Sequence, residues 1–351
     1  MKITQLECWK VDFRLTEPYT IAYETIEKCT NVFLKAETDN GIVAWGCAAP
    51  DINITNETGE SVLEASHTVI EPCLKGADPF RYLYLYEKMR KNLPKSSSAL
   101  AMADILLYDI MAKVAGEPLY KFLGGYRNSM PTSVTIGIMP VKETVQKAME
   151  LYKRKFSILK IKGGKNVDED IERIIKVKET LGDNVRLRFD ANQGYSVADS
   201  VKLVKSTKNT LIELFEQPTL INKEEQLGEV RKNVDIPVMA DESLKTLKDV
   251  FRLTSNDLID MINIKLMKVG GITEAININS VASSAGVETM VGCLDESSLG
   301  ISTGLHFALS RPNINYADLD SFLDIRDDLF KNAIILKDGI LYPNGRPGIG
   351  I

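Results

Sequence analysis

Eight short apolar segments recur along this chain about every 25 residues, and each ends in polar or charged side chains. They are VTIGI (134–138), ILKIK (158–162), VRLRFDAN (185–192), LIELFEQP (211–218), IPVMADES (236–243), MINIKLMK (261–268), ETMVGCLDE (288–296) and NINYADLD (313–320). Amphipathic helical stretches such as DEDIERIIKVKETLG lie between them. Eight parallel strands that alternate with helices close into a barrel, and barrel sites gather at the C-terminal strand ends. The pattern therefore predicts an α/β fold of the TIM-barrel type and the position of its site.

The chain has 351 residues, which is more than the roughly 250 that such a barrel needs. Residues 1–125 contain β-rich segments, with Asp39-Asn40-Gly41 as a hairpin signal, followed by three helical segments. After residue 320, FLDIRDDLF predicts a short helix and IILKDGILYP a hairpin. We predict an α+β domain over 1–125, the barrel over 126–320 and a C-terminal segment over 321–351 that packs back against the first domain.

Composition limits the partners of this chain. A net charge of −5 without a dense basic patch argues against nucleic acid, and no apolar run approaches the length of a membrane span. The N-terminal MKITQLECWKVDF lacks the continuous apolar stretch of a signal peptide. Five widely spaced cysteines without a CxxC pair indicate reduced thiols rather than disulfides or zinc. We expect a cytoplasmic homo-oligomer that binds neither nucleic acid nor membrane.

Asp190, Glu216 and Asp241 end three successive predicted strands. Neighbouring strands lie about 4.8 Å apart, so carboxylates at matching depth converge. Three unpaired anions would repel one another, and a divalent cation resolves that conflict. With only two histidines in the chain, oxygen ligands and a hard ion such as Mg²⁺ are favoured. The alternative is that each carboxylate separately caps the helix that follows it.

Lysines lie on both sides of this predicted metal site. Lys160 and Lys162 share one face of the second strand, and Lys265 lies on the sixth strand, roughly across the barrel. A neighbouring ammonium and a dication would lower a lysine pKa toward about 7 to 8, where a general base works. The alternative is solvated lysines at strand ends. Lys268, three positions after Lys265, is expected to have a structural role.

These residues resemble a known group of enzymes. KIK at 160–162, the Asp190, Glu216 and Asp241 trio, and NIKLMKVGG at 263–271 are similar to the muconate-lactonizing subgroup of the enolase superfamily. The resemblance covers essentially the whole chain and implies a capping domain over a modified β/α barrel, completed by the C-terminal segment. It also implies one Mg²⁺ per subunit and two lysines that flank the substrate.

Within that subgroup, Asp318-Leu319-Asp320 on the last strand resembles the DxD motif of dipeptide epimerases such as the L-Ala-D/L-Glu epimerases. There, paired carboxylates hold the α-ammonium of the substrate, which agrees with the preference of two same-facing anions for a cation. The alternative is that these acids are solvated or cap a helix. The related cycloisomerases and o-succinylbenzoate synthases act on substrates without an ammonium group and would gain nothing from the pair.

The resemblance implies a chemistry, an epimerisation at the α-carbon of the C-terminal residue of a dipeptide. Lys162 would move the proton on one face of the carbon and Lys265 on the other, through an enediolate that the metal stabilises. Lys160 would tune Lys162. Positions that line the pocket in relatives correspond here to Thr135, Cys293 and Leu294.

Two further acids bear on the substrate side chain. Where relatives that act on Ala-Glu carry a basic residue in the capping loop, this chain has Glu24, and Asp295 adds negative charge from the seventh strand. We therefore predict an Ala-Xaa substrate with a neutral, hydrophobic or cationic second residue rather than Glu. Two alternatives remain for this loop: Glu24 is solvated, or an apolar lid forms from Tyr19, Ile21 and Tyr23.

Two other functions compete with a dipeptide epimerase. A cycloisomerase or o-succinylbenzoate synthase of the same subgroup would use the same metal and lysines, and the Asp318 and Asp320 pair argues against it. A non-catalytic barrel that binds a peptide belongs to another class of protein. Lysines on both faces of the site argue against that reading.

Overall fold

The computed structural model describes all of residues 1–351. Its strands are β1 (Ile3–Thr20), β2 (Thr25–Thr38), β3 (Val43–Ala48), β4 (Met130–Pro131), β5 (Val134–Ile136), β6 (Ile158–Lys162), β7 (Arg186–Asp190), β8 (Ile212–Glu216), β9 (Val238–Ala240), β10 (Met261–Ile264), β11 (Glu288–Gly292), β12 (Ile314–Asp318), β13 (Ile334–Lys337) and β14 (Ile340–Pro343). Its helices are α1 (Gly59–Ala65), α2 (Glu71–Leu74), α3 (Tyr82–Asn92), α4 (Ser97–Val114), α5 (Leu119–Phe122), α6 (Val141–Lys153), α7 (Val167–Leu181), α8 (Val197–Ser206), α9 (Glu224–Asn233), α10 (Leu247–Ser255), α11 (Leu266–Val269), α12 (Ile272–Ser284) and α13 (Ser298–Ser310).

The eight predicted segments form the eight parallel strands of one sheet, in the order in which they occur along the chain. The sheet runs from β5 to β12, with helices between successive strands, so the predicted α/β barrel is confirmed. Apolar residues of these strands are almost fully buried, as expected for parallel strands covered on both faces. No helix follows the eighth strand directly. A short 3₁₀ turn, Ser321–Leu323, takes that place.

The barrel seam between β12 and β5 closes through a few bonds rather than through a full ladder. Ser133 N donates to Ala317 O at 3.1 Å, and Thr132 pairs with Ala317 as an isolated parallel bridge. The buried Arg188 guanidinium reaches across from β7 and donates to Ala317 O at 2.8 Å and to Ser133 Oγ at 3.2 Å. The Nε of Arg188 donates to Glu213 Oε2 at 2.7 Å, so the guanidinium and this carboxylate form an ion pair. Arg188, paired with the partly buried Glu213, thus bonds to both sides of the seam between the first and last strands.

The N-terminal residues fold into an antiparallel sheet with helices behind it. The order of this sheet is β1-β2-β3, and Gly41, with φ +82°, turns the chain between β2 and β3 as the hairpin signal predicts. Helix α4 is buried along almost its whole length against the sheet and the barrel. In the structure, then, residues near 1–125 form the α+β module that we predicted, although the division of the chain into domains remains a prediction.

The C-terminal segment contacts both parts of the molecule. Strands β13 and β14 form the expected hairpin, and β14 pairs with β4. Phe330 packs against Phe33 and Trp45 of the N-terminal sheet, with ring centroids 5.0 and 5.3 Å apart. The helix predicted over 322–330 was wrong, because only the 3₁₀ turn Ser321–Leu323 forms there. The residues after this turn instead bond to β1, where Arg326 N donates to Arg14 O.

One buried carboxylate joins α4 to the barrel behind the sixth strand. Asp104 accepts from Thr273 N at 2.8 Å and from Thr273 Oγ1 at 2.7 Å, so it satisfies donors at the start of α12. Gly271, with φ +107°, precedes this helix, and a Cβ there would lie 2.6 Å from Asp104 Oδ2. The segment between Lys265 and α12 is therefore anchored by the N-terminal module. Burial raises the pKa of Asp104 to about 7.

We expect Asp104→Ala to lower the free energy of unfolding by about 2–4 kcal/mol, because two buried donors lose their acceptor. The pKa of Asp104 is raised in the folded protein, so its contribution is fully present below the unfolded pKa and declines as pH rises toward about 7. The loss should therefore be smaller at pH 8 than at pH 5 in urea titrations. Asp104→Asn, which keeps one acceptor, is the matched control and should lose less. An equal loss at both pH values would contradict the buried-acid account.

None of the helices is both long and apolar enough to cross a membrane.

Candidate active site

The predicted carboxylates and lysines meet at the C-terminal mouth of the barrel. Lys162 on β6 pairs in register with Asp190 on β7, and Asp190 with Glu216 on β8. Asp241 directly follows β9. At most 1% of the surface of each of these three carboxylate residues is exposed. Adjacent strands thus place the predicted trio at one depth, as the strand-end pattern indicated.

Lysine ammonium groups lie among the three carboxylates. Lys162 Nζ is 2.7 Å from Asp190 Oδ2, and Lys265 Nζ is 2.8 Å from Asp241 Oδ2. Lys160 Nζ contacts Glu216 Oε2 at 2.7 Å and Asp190 Oδ2 at 3.1 Å. The carboxylates therefore do not gather round one point in this arrangement. Lysines and carboxylates neutralise one another.

These ion pairs change the pKa values of several groups. Burial lowers the pKa of Lys160, but the charges of Asp318, Glu216 and Asp190 outweigh it and hold that pKa well above its usual value. The pKa of Lys265 is likewise raised, because Asp241 outweighs burial. Lys160 therefore keeps its positive charge beside Lys162, as the tuning role predicted for it requires.

The donor chemistry of the trio, though not the present spacing of its carboxylates, suits a hard divalent cation. Burial, together with the charge of Asp190, raises the pKa of Glu216 to about 8, so this group lacks enough positive charge around it. Glu216 Oε2 lies near Lys160 Nζ, but no donor points at it with hydrogen-bond geometry, and it is fully buried. Asn263 Oδ1 beside it is also without a partner. Carboxylate and amide oxygens are ligands that Mg²⁺ accepts.

Asp318 and Asp320 differ in their surroundings. Asp318 at the end of β12 is paired with Lys160 Nζ at 2.7 Å and accepts from Ser133 Oγ at 2.6 Å. Asp320 accepts from Thr135 N at 2.6 Å and has no cationic partner. Burial and the charge of Asp318 raise the pKa of Asp320 to about 7. Of these two acids, Asp320 therefore has less positive charge near it, and a cation that enters the pocket would pair with Asp320 in preference to Asp318.

One pocket collects most of the predicted site residues under loops of the N-terminal module. Its lining includes Thr135, Lys160, Lys162, Asp241, Lys265, Cys293, Leu294, Asp295, Asp318 and Asp320. Tyr19, Ile21 and Tyr23 cover it from β1 and the following turn, and Tyr19 OH donates to Asp295 Oδ1 at 2.8 Å. Cys293 Sγ lies 3.3 Å from Asp318 O. Asp190 and Glu216 lie beneath, fully buried.

Glu24 is not part of that lining, so its predicted position was wrong. Its carboxylate accepts from Asn53 Nδ2 at 3.1 Å outside the pocket. Asp51, in the loop after β3, lines the pocket in its place. The turn at 21–24 directs alternate side chains to opposite sides, so that Tyr23 faces the pocket and Glu24 faces away.

Sequence reasoning missed Asn192, Glu242 and the contacts of Lys268. Asn192 Oδ1 accepts from Lys162 Nζ at 3.1 Å, and its Nδ2 donates to Glu242 Oε1 at 3.3 Å. Lys268 is buried on α11 and lies 2.5 Å from Asp241 Oδ1, which fits the structural role that we expected for it. The segments FDAN and ADES already carried the signal, since Asn192 and Glu242 follow metal-ligand candidates by two residues and one.

Two family models account for nearly all of the chain. Residues 3–124 match the N-terminal domain of mandelate racemase and muconate lactonizing enzyme, and residues 143–351 match the enolase C-terminal domain-like family. The chain belongs to the enolase superfamily.

Relatives within the superfamily are similar over their full length. The L-Lys-D/L-Arg epimerase of Desulforapulum autotrophicum is 42% identical over 100% of this chain and 99% of its own. The L-Ala-D/L-Glu epimerase of Bacillus subtilis is 36% identical, covering 100% and 97%. The dipeptide epimerase of Enterococcus faecalis, whose solved structure holds Mg and the dipeptide L-Leu-L-Tyr, superposes with a TM-score of 0.97 at 37% identity, covering 100% and 99%.

These relatives confirm several predictions made from the sequence. The superfamily, the resemblance to dipeptide epimerases and the isomerase class are confirmed. Magnesium, predicted as the cofactor, is present in the solved relative from Enterococcus faecalis. The relatives differ in the dipeptides for which they are named, so family membership alone leaves the second residue of the substrate open.

Proposed function

We propose that this chain is a Mg²⁺-dependent dipeptide epimerase that inverts the α-carbon of the C-terminal residue by 1,1-proton transfer. The observation that carries the proposal is that Lys162, at the end of β6, and Lys265, directly after β10, line the same pocket although the two strands are not neighbours in the sheet. A base on each face of a carbon can remove a proton from one side and return one to the other, which inverts the centre.

Asp190, Glu216 and Asp241 would hold the metal. When bound there, Mg²⁺ would supply positive charge that stabilises the enediolate formed as the α-proton leaves. Lys160, which contacts two of these carboxylates, adds a fixed positive charge near the same position. Asn192, as a partner of Lys162, restricts the direction in which that ammonium points.

The acids of the last strand favour a substrate with a free amino terminus. Asp320 is 8% exposed, lines the pocket and lacks a cationic partner, whereas Asp318 shares Lys160. An α-ammonium would supply the positive charge that Asp320 lacks. This difference argues against an o-succinylbenzoate synthase or cycloisomerase, whose substrates bring no cation to these acids. A non-catalytic peptide-binding barrel would have no use for lysines on both faces.

The side chain of the second residue meets negative charge. Glu24 lies outside the pocket, but Asp295 and Asp51 both line it. Because Asp295 and Asp51 would repel an acidic side chain, we propose a neutral, hydrophobic or cationic second residue rather than Glu.

The direct test follows α-hydrogen exchange and epimerisation in deuterated water over a library of L,L-dipeptides. We expect Mg²⁺-dependent loss of the α-hydrogen of the C-terminal residue, with both epimers present at equilibrium. The N-acetylated form of the best dipeptide is the control, and because it brings no ammonium to Asp320 its kcat/KM should fall by about tenfold or more. Absence of exchange with every dipeptide would refute the proposal. Equal turnover of the acetylated form would refute the ammonium role alone.

A further inference from the structure

The active-site pocket contains more negative charge than its lysines and one α-ammonium can balance. Three lysines line it, together with seven carboxylates: Asp51, Asp241, Glu242, Asp295, Asp318, Asp320 and Asp324. The lysines form ion pairs with Asp241 and Asp318 and with the deeper Asp190 and Glu216. The other five lining carboxylates form no ion pair. With an α-ammonium at Asp320, four of them would still have no ion pair: Asp51, Glu242, Asp295 and Asp324.

Among these four acids, Glu242 has a buried carboxylate oxygen without a hydrogen-bond partner. It follows Asp241 in the loop after β9, is 3% exposed and lines the pocket. Its Oε1 accepts from Asn192 Nδ2 at 3.3 Å, whereas its Oε2 is buried without any hydrogen-bond partner. A buried carboxylate oxygen without a donor is unfavourable. A cationic group that enters the pocket would satisfy it.

Asp51 faces the same region from the N-terminal module. Its Oδ1 accepts from Asn53 N at 2.7 Å and Ile54 N at 3.1 Å, which fixes the carboxylate in place and leaves Oδ2 without a donor. Asp51, Glu242 and Tyr23 all line the pocket, and burial, then the charges of Glu242 and Asp51, raise the pKa of the Tyr23 hydroxyl above its usual value. Asp51 and Glu242 are therefore two anions of one pocket that Tyr23 also lines.

The chemistry of the reaction directs the substrate side chain toward this region. The α-carbon of the enediolate is trigonal, so its side chain lies in one plane with the carboxylate carbon and the peptide nitrogen, and the two lysines would approach from the two faces. In the proposed complex the carboxylate would bind at the metal ligands, and the peptide nitrogen would lead through the N-terminal residue, with its α-ammonium, toward Asp320. The side chain would then face the part of the pocket that the N-terminal module lines, which includes Tyr23 and Asp51.

We propose that Asp51 and Glu242 form a subsite for a positively charged side chain, so that the second residue of the dipeptide is lysine or arginine. The inference rests on the proposed epimerase function. Tyr23 supplies an apolar ring along which the methylene groups of such a side chain can lie, with the charged end at the carboxylates.

The test compares Ala-Lys with Ala-norleucine, which has the same methylene chain but no charge, and with Ala-Glu. We expect kcat/KM of the wild type to be highest for Ala-Lys and at least tenfold lower for Ala-norleucine, with Ala-Glu lowest. Asp51→Asn and Glu242→Gln should each lower the ratio of Ala-Lys to Ala-norleucine by about tenfold, mainly through KM. Glu27→Gln removes an exposed acid of β2 outside the pocket and is the control for long-range charge.

The possible failures of this inference and of the proposed function are distinguishable. Epimerisation of Ala-norleucine as fast as Ala-Lys would overturn the subsite and leave the epimerase function intact. An unchanged ratio in both Asp51→Asn and Glu242→Gln would also overturn it. If the ratio of Ala-Lys to Ala-norleucine fell equally in Glu27→Gln, the preference for lysine would come from the overall charge of the protein and not from the subsite. Only the absence of turnover with all dipeptides counts against the epimerase itself.

Discussion

Replacing Lys162 or Lys265 with alanine should lower epimerisation by about 10²–10⁴-fold, the usual range for the loss of a general acid or base. Inversion needs both lysines, since one removes the proton and the other returns it. Each variant should nevertheless keep α-hydrogen exchange for one epimer, because the remaining lysine can take a proton from its own face and return a deuteron there. The two variants should therefore retain exchange for opposite epimers.

This result is measured by nuclear magnetic resonance in deuterated water, starting separately from each epimer. Lys165→Ala is the matched control, because Lys165 is exposed just past the end of β6 and lies outside the pocket. Circular dichroism excludes misfolding, which matters because Lys162 pairs with the buried Asp190. If one variant lost exchange for both epimers and the other for neither, a single base would be indicated and the two-base proposal would fail.

The barrel and most of the site could be predicted because they depend on local patterns. Strand ends such as FDAN and ADES combine a buried apolar run with an acid at its C-terminal end, and parallel pairing then brings Asp190, Glu216 and Asp241 to one depth. The side-chain period of two places Lys160 and Lys162 on one face. Neither step requires knowledge of distant parts of the chain.

The remaining features depend on contacts between distant segments. Glu24 and Tyr23 are adjacent in the sequence, and only the packing of the turn at 21–24 over the barrel decides which one enters the pocket. Asp51 is separated from the strand ends by the whole helical part of the N-terminal module. The segment FLDIRDDLF has helical character, but bonds to β1 and the packing of Phe330 against Phe33 prevail over it.

Removal of divalent metal should abolish epimerisation, and Mg²⁺ should restore it and stabilise the fold. Asp190, Glu216 and Asp241 are buried together, and lysines alone balance their charge in the ion pairs described above. Mg²⁺ at about 100 times its Kd should raise the free energy of unfolding by about 2.7 kcal/mol. Thermal unfolding with and without the metal measures this effect independently of activity.

Glu216→Gln tests whether the stabilisation comes from the trio. Glutamine keeps the shape and one oxygen ligand but removes the negative charge, so the Mg²⁺-dependent rise in unfolding temperature should disappear at the concentration that saturates the wild type. Glu229→Gln, at an exposed position on α9, should retain the full rise. Ca²⁺ should be a poorer substitute, because its longer ligand distances of about 2.3–2.6 Å do not suit a compact set of buried carboxylates. A rise of wild-type size in Glu216→Gln would place the metal elsewhere in the molecule.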